Sequence, residues 1–376
     1  MTRGSRVRSA VAFSASCALM LLAVFHVRTH PLGAQGQESP DEFYDSHFHL
    51  TNYVQEGIGI QDYLRIMGTR VGRSTLFGIP LQQQWSYANS GDFAPTYYLQ
   101  SDAPLYYYSF TDAYIATLYR GLSAAEQARL DPMITGFNPA DMYGVDHIRR
   151  VLKTFPGVFS GIGEFSIHKE FVSAKIAGET ASLTNPALDR ILDFAGESGL
   201  VVILHNDLDM PFAKADTAPV YLDQMKALLR RHQQTSIIWA HLGLGRIVHP
   251  VVVSDAAAER SPNQMQLVEA MLSDPTLRHV TFDISWDEVA KYAVASPESI
   301  ERVSSVLNRF ADRFVFGTDT VAPAGPQPYY AVFDLWAPVW KRLTPEASRQ
   351  VRKGNYQRIF DEGRRKVRAW EQAHRP

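Results

Sequence analysis

From residue 43 onward, short β-rich runs alternate with longer helix-like ones, and this alternation restricts the fold more than any other feature of the chain. The strand-like runs are "FYDSHFHL" (43–50), "STLFGIPL" (74–81), "DPMITGFN" (131–138), "GVFSGIGEF" (157–165), "LVVILH" (200–205), "SIIWAH" (236–241), "HVTFDIS" (279–285) and "RFVFGTD" (313–319). Several are nearly continuous Val/Ile/Phe, as expected of parallel strands covered on both faces. Amphipathic stretches lie between them, such as "HIRRVLKTF", "ALDRILDFAGESG", "YLDQMKALLRRH" and "SIERVSSVLNRFA". In the second of these, Gly196 and Gly199 stand where a helix C-cap is expected. Eight strands alternating with helices over about 320 residues predict an α/β fold, a (β/α)8 TIM barrel with insertions. A doubly wound open sheet is the alternative, but no Gly-rich phosphate loop follows the first strand.

The strand spacing is uneven. A long connection separates Leu81 from Asp131 and carries Trp85, Tyr87, Phe93, Tyr97, Tyr98, Tyr106, Tyr107 and Tyr108. Loops after barrel strands lie on the C-terminal face, where the chemistry of such folds is found. These rings either wall a substrate pocket there or pack the insertion against itself.

The strand ends carry an unusual set of side chains. In "YDSHFHL" an aspartate and two histidines recur at every second position. Alternate strand residues face the same way, so Asp45, His47 and His49 are expected on one face, with Tyr44, Phe48 and Leu50 on the other. "GIGEF" ends on Glu164 and Phe165, "VVILH" on His205, "IIWAH" on His241 and "FVFGTD" on Asp319. One such residue would be an ordinary cap. Six imidazoles and carboxylates at the same level of a barrel mouth are expected to form a metal site at the C-terminal face. Nitrogen and oxygen donors without sulfur suit Zn, Mn, Fe or Co. Asp45 either orients a ligand histidine or serves as a buried partner for nearby backbone.

Taken together, "DSHFHL", "GIGEF", "ILHND", "WAHLGLG", "FGTDT" and the closing "GNYQRIF" resemble the amidohydrolase superfamily, most closely its amidohydrolase-related branch of metal-dependent (β/α)8 hydrolases. The resemblance covers roughly residues 43 to 362. It implies that His47 and His49 bind the more buried metal, and that His205 and His241 take second-metal or substrate-polarising positions. It makes Asp319 both a metal ligand and the general base, with His241 beside it in the catalytic set. Glu164 matches the place where some members use a carboxylated lysine and others a glutamate bridging two metals. The implied cofactor is a divalent metal, zinc foremost, at one or two per chain.

The implied reaction is metal-dependent hydrolysis of a C–N, ester or lactone bond in a small molecule by an activated water. A metal-dependent decarboxylase of the same fold, a TatD-like nuclease and a catalytically dead metal-binding barrel are the competing readings. No "GxSxG" elbow for a serine nucleophile is present. Lys169 in "SIHKE", next to His168, and Arg246 in "GLGRIVH" follow ligand-bearing strands and are candidates for contact with an anionic substrate.

Composition enters at the ends of the chain. Arg3, Arg6 and Arg8 precede the apolar run from Val11 to Phe25, and "PLGAQGQ" follows it. The pattern predicts a signal peptide over 1–34, a linker over 35–42 and the barrel, with its C-terminal helix, over 43–376. A secreted or periplasmic protein follows, with no stable membrane insertion once the signal is cleaved; an uncleaved anchor is the alternative. Cys17 is the sole cysteine, so the mature chain has neither disulfide nor thiolate ligand. Without residues 1–35 the chain holds 33 basic and 39 acidic residues, a net charge near −6. Such a body does not suit a nucleic-acid partner, because phosphate contacts need cations. Homo-oligomerisation is left open. "RRKVR" (364–368) reads as the solvated end of a terminal helix whose Tyr356, Ile359, Phe360 and Trp370 pack inward.

Overall fold

The computed structural model describes residues 41–52, 56–79, 110–169, 182–209, 218–245 and 263–374, with three short strand pieces between 172 and 180. The expected signal segment, the aromatics between Trp85 and Tyr108, and Arg246 lie outside the described residues. The chain divides into the units Met1–Glu38 and Ser39–Pro376. Among the described residues no helix is long and apolar enough to cross a membrane.

Ser39–Pro376 is a (β/α)8 barrel. Its strands are β1 (Phe43–Asp45), β2 (Val71–Leu76), β3 (Leu130–Ile134), β4 (Gly161–Ser166), β5 (Val201–His205), β6 (Ile237–Trp239), β7 (Val280–Asp283) and β8 (Phe314–Val315). They pair in sequence order, and every pairing is parallel. The ring closes where Ser46 N–H donates to the Phe316 carbonyl at 2.9 Å and Asp319 N–H to the His47 carbonyl at 2.7 Å. Beyond that point the short extension Phe48–His49 pairs with Thr320–Val321.

A principal helix follows each strand: α1 (Ile60–Met67), α2 (Thr111–Arg120), α3 (Gly144–Thr154), α4 (Pro186–Ser198), α5 (Leu222–Arg231), α6 (Gln264–Ser273), α7 (Pro297–Arg309) and α8 (Asn355–Ala373). Local chemistry sets several ends. The Asn185 side chain accepts from Ala187 N–H to open α4, with Pro186 at its first position, and Ser296 does the same for α7 through Ser299. Gly199 closes α4 in the left-handed conformation, with φ 79°, as expected of a C-cap. Gly196 does not act as a stop. It lies inside α4, where an added Cβ would come within 2.8 Å of Thr235 Oγ1.

Two apolar layers hold the barrel. The outer one packs strands against helices. The inner one fills the ring with Met133, Val201, Ile203, Ile238 and Val315, closed from below by Tyr356, Ile359 and Phe360 of α8. In "RRKVR" Arg365 and Lys366 are exposed as expected of a solvated end, but Arg364 and Arg368 correct that reading. Arg364 Nε donates to the fully buried Asp131 at 2.5 Å, alongside Arg73 Nη2 at 2.9 Å and the Tyr356 hydroxyl at 2.8 Å, and Arg368 donates to the Phe159 carbonyl. An isolated buried carboxylate would be costly, and these donors offset its desolvation. The N-terminal face is thus locked by charge and packing, and the C-terminal face is left for chemistry.

Candidate metal centre

Strand β1 ends at Asp45, and the chain leaves strand geometry at Ser46 and His47 before resuming at Phe48. This interruption separates residues that strict alternation would place together. The Asp45 carboxylate accepts from the backbone of His47 and Thr318, both at 2.9 Å, and from the hydroxyls of Thr318 and Tyr329, both at 2.7 Å. Its role is to pin the β1–β8 seam, so the reading of Asp45 as a backbone partner holds and imidazole orientation falls to another residue. Burial pushes its pKa up to about 6 against these donors.

His47, His49, Glu164, His205, His241 and Asp319 converge in the barrel mouth as expected. Glu164 is central to them. Its Oε1 lies 2.6 Å from His205 Nδ1 and 3.4 Å from His241 Nε2. Its Oε2 lies 3.6 Å from His49 Nε2 and 3.7 Å from His47 Nε2. Asp319 Oδ1 stands 3.1 Å from His49 Nε2 and 3.3 Å from His47 Nε2, and its Oδ2 is 3.9 Å from His241 Nε2. Among the described residues, donor atoms within metal-binding reach of one another form three groups: His47, His49, Glu164 and Asp319, then Glu164, His205 and His241 around the shared glutamate, and a third of His47, His241 and Asp283.

Two glycines make this approach feasible. Gly163 has φ 120°, and a Cβ there would meet the Ile203 carbonyl oxygen at 2.2 Å, so only glycine brings Glu164 against β5. A Cβ on Gly317 would come within 2.7 Å of the His47 Cβ. Further along the same rim, His241, Leu242, Trp286, Asp319 and Ala322 are the non-glycine residues with positive φ among those described. All five follow β6, β7 or β8, and two are candidate ligands. Left-handed backbone at such residues costs on the order of 1–3 kcal/mol each and collects at functional sites.

Each imidazole has a partner on the ring nitrogen turned from the centre. His47 Nδ1 donates to Asp283 Oδ2 at 2.8 Å, and His205 Nε2 donates to Asp207 Oδ1 at 2.9 Å. His49 Nδ1 faces the Gly78 carbonyl at 3.4 Å, and His241 Nδ1 lies 2.9 Å from Ser285 Oγ. On the inward side, His47 Nε2 and His241 Nε2 are buried with no hydrogen-bond partner. Buried polar nitrogens are rarely left so. Lone pairs aimed at carboxylates fit a cation, and the residues present fit a metal.

The electrostatics agree. Burial opposes charge on His47, yet Asp283 and Glu164 outweigh it and hold its pKa well above that of a free imidazole. Burial would raise the carboxyls, but Lys169 and His205 hold Glu164 well below the carboxylate range, and His241 and His47 do the same for Asp319. A proton and a metal ion compete for the same imidazole lone pairs in such a cluster.

Lys169 lies in a short hairpin strand, His168–Lys169 against Val172–Ser173, with its Nζ 4.0 Å from Glu164 Oε2. His168 stacks on Tyr221 with ring centroids 3.8 Å apart, and burial pulls its pKa down to about 4. Sequence reading missed Asp207, Asp283 and Ser285. A signal was present, since Asp283 ends β7 as His205 ends β5, and Asp207 lies two residues beyond His205.

The amidohydrolase family model matches residues 44–361. No curated protein matches the chain. Among solved structures, a probable 2-pyrone-4,6-dicarboxylic acid hydrolase from Acinetobacter baumannii, with citric acid bound, is 12% identical with a TM-score of 0.51, covering 85% of this chain and 99% of that one. An amidohydrolase from Burkholderia multivorans with bound Zn is 15% identical with a TM-score of 0.48, covering 85% and 99%. A TatD homologue from Escherichia coli is 15% identical with a TM-score of 0.46, covering 88% and 98%.

Proposed function

The chain belongs to the amidohydrolase family, and from that premise we propose that it is a metal-dependent hydrolase acting on a C–N, ester or lactone bond of a small molecule. The observation that carries this reading is the pair of buried, unpartnered Nε2 atoms of His47 and His241, facing Glu164 and Asp319. His47, His49, Glu164 and Asp319 would hold one divalent cation; Glu164, His205 and His241 would hold a second. Charge supports two. Glu164 and Asp319 at the centre, with Asp207 and Asp283 behind its histidines, make four carboxylates, with the Lys169 ammonium beside Glu164, and buried anions need compensating cations. The donor set, nitrogen and oxygen without thiolate, suits zinc, manganese, iron or cobalt, and zinc is the metal we put first.

When bound, such a cation lowers the pKa of a coordinated water and polarises the bond under attack. The protein's own groups supply the rest. Asp319 touches the centre with an oxygen held toward His49, and it orients the attacking water, takes its proton and passes that proton to the leaving group. His241, with its Nδ1 2.9 Å from Ser285 Oγ, keeps its Nε2 turned to the centre, where it would help hold the second cation beside the substrate. Lys169 meets an anionic part of the substrate from the Glu164 side, and Arg246, which follows β6 in sequence, is assigned the same task.

Elemental analysis of the purified protein, with turnover on an ester, lactone, amide and phosphodiester panel and an assay for CO2 release from carboxylic acids, tests the reading. Two divalent metals per chain and turnover on one of the first three classes are expected. CO2 release would make the enzyme a lyase, phosphodiester cleavage a nuclease, and metal-free protein inactive on the whole panel would end the assignment.

We also assign the protein to the secreted or periplasmic space, on the charged and apolar pattern of residues 1–34. Mass spectrometry of protein from its native compartment is expected to find the N-terminus near Gln35. An intact Met1 to Phe25 segment in a membrane fraction would show an anchor instead.

A further inference from the structure

Two histidines from different strands, one in each of the two ligand groups that share Glu164, are governed by the single turn after β7. The Asp283 carboxylate is fully buried. Its Oδ2 accepts from His47 Nδ1 at 2.8 Å and its Oδ1 accepts from Ser285 N–H at 2.5 Å. Ser285, buried as well, sets its Oγ 2.9 Å from His241 Nδ1. The two rings lie 4.7 Å apart, centroid to centroid, tilted by 33°. Asp283 thus holds one imidazole directly and the other through the backbone of Ser285.

We infer that Asp283 and Ser285 are positioning residues for metal uptake, fixing the ring orientation of His47 and His241 so that both Nε2 lone pairs face the centre. The inference rests on the metal-dependent reading above and adds the residues that prepare the site. A carboxylate can only accept, so His47 carries a hydrogen on Nδ1, and the inward Nε2 is the nitrogen left to exchange its proton for a cation. The inward Nε2 of His47 has no hydrogen-bond partner, although Asp319 Oδ1 is 3.3 Å away.

The test uses the full-length protein stripped of metal and titrated with Zn2+ against a chromophoric chelator, with folding of each variant checked by circular dichroism. Asp283→Asn is expected to weaken zinc affinity by about 10- to 100-fold, the usual scale for losing a carboxylate behind a ligand histidine. Ser285→Ala is expected to weaken it in the same direction, and Ser285→Thr, which keeps the hydroxyl, to restore it. A folded Asp283→Asn protein with wild-type affinity and stoichiometry overturns the inference and leaves the hydrolase reading standing. Wild-type protein that takes up no zinc or other divalent metal overturns the parent reading instead. Should Asp283→Asn not fold, the serine pair decides: equal affinity in Ser285→Ala and Ser285→Thr overturns the inference.

Discussion

Asp319→Asn is expected to lower turnover by about a hundredfold or more while metal content stays close to that of the wild type. Asparagine keeps an oxygen where the carboxylate stood, 3.1 Å from His49 Nε2 and 3.3 Å from His47 Nε2, so a donor to the cation survives. What is lost is the negative charge and the basic lone pair that accept the proton of the attacking water. The carboxyl is held well below the usual range because His241 and His47 outweigh the effect of burial. It is therefore ionised at neutral pH and available as an acceptor. As pH falls, activity is expected to decline as the whole cluster of carboxylates and imidazoles takes up protons, with an apparent pKa belonging to the group. His47→Ala supplies the contrast. It removes a ligand outright, so metal and turnover are expected to fall together. Metal stoichiometry and turnover measured on both variants separate the two roles. Near-normal turnover in Asp319→Asn with its metals in place would exclude Asp319 as the base.

Glu164→Ala is expected to lose at least one metal per chain and, with it, most of the turnover. No other described side chain stands as close to all four imidazoles, between 2.6 Å from His205 and 3.7 Å from His47. Removing it takes a shared oxygen pair from both glutamate-centred ligand groups, together with the carboxylate 4.0 Å from the Lys169 ammonium. A cation must then be held by fewer donors and by less negative charge, and both changes weaken binding. Glu164→Gln keeps one oxygen donor and is expected to fall between wild type and alanine. Unchanged metal content and turnover in Glu164→Ala would reduce Glu164 to a structural role.

The barrel was legible in the chain because parallel strands covered on both faces need continuous apolar runs, and eight of them alternate with amphipathic helices. The six convergent residues were legible because strand ends share one level of a barrel, so a histidine at the end of β5 and a glutamate near the end of β4 must meet. Element boundaries were less so. Gly196 resembled a stop, but a close approach to Thr235 is what requires glycine there. "RRKVR" resembled a solvated end, but Arg364 turns back to a carboxylate 233 residues earlier in sequence.

What the sequence determined by itself is the set of groups that depends on periodicity: the fold class, the inward faces, and His47, His49, Glu164, His205, His241 and Asp319 at the mouth. What the tertiary structure alone decided is the partner of each group. Asp45 sits two residues from His47 yet serves the β8 seam, whereas Asp283, 236 residues away, takes the imidazole. Periodicity tells which way a side chain leaves its strand. The hydrogen bond it then makes depends on how neighbouring strands close into a ring, and that closure brings β7 and β8 against β1 only once the whole chain has folded.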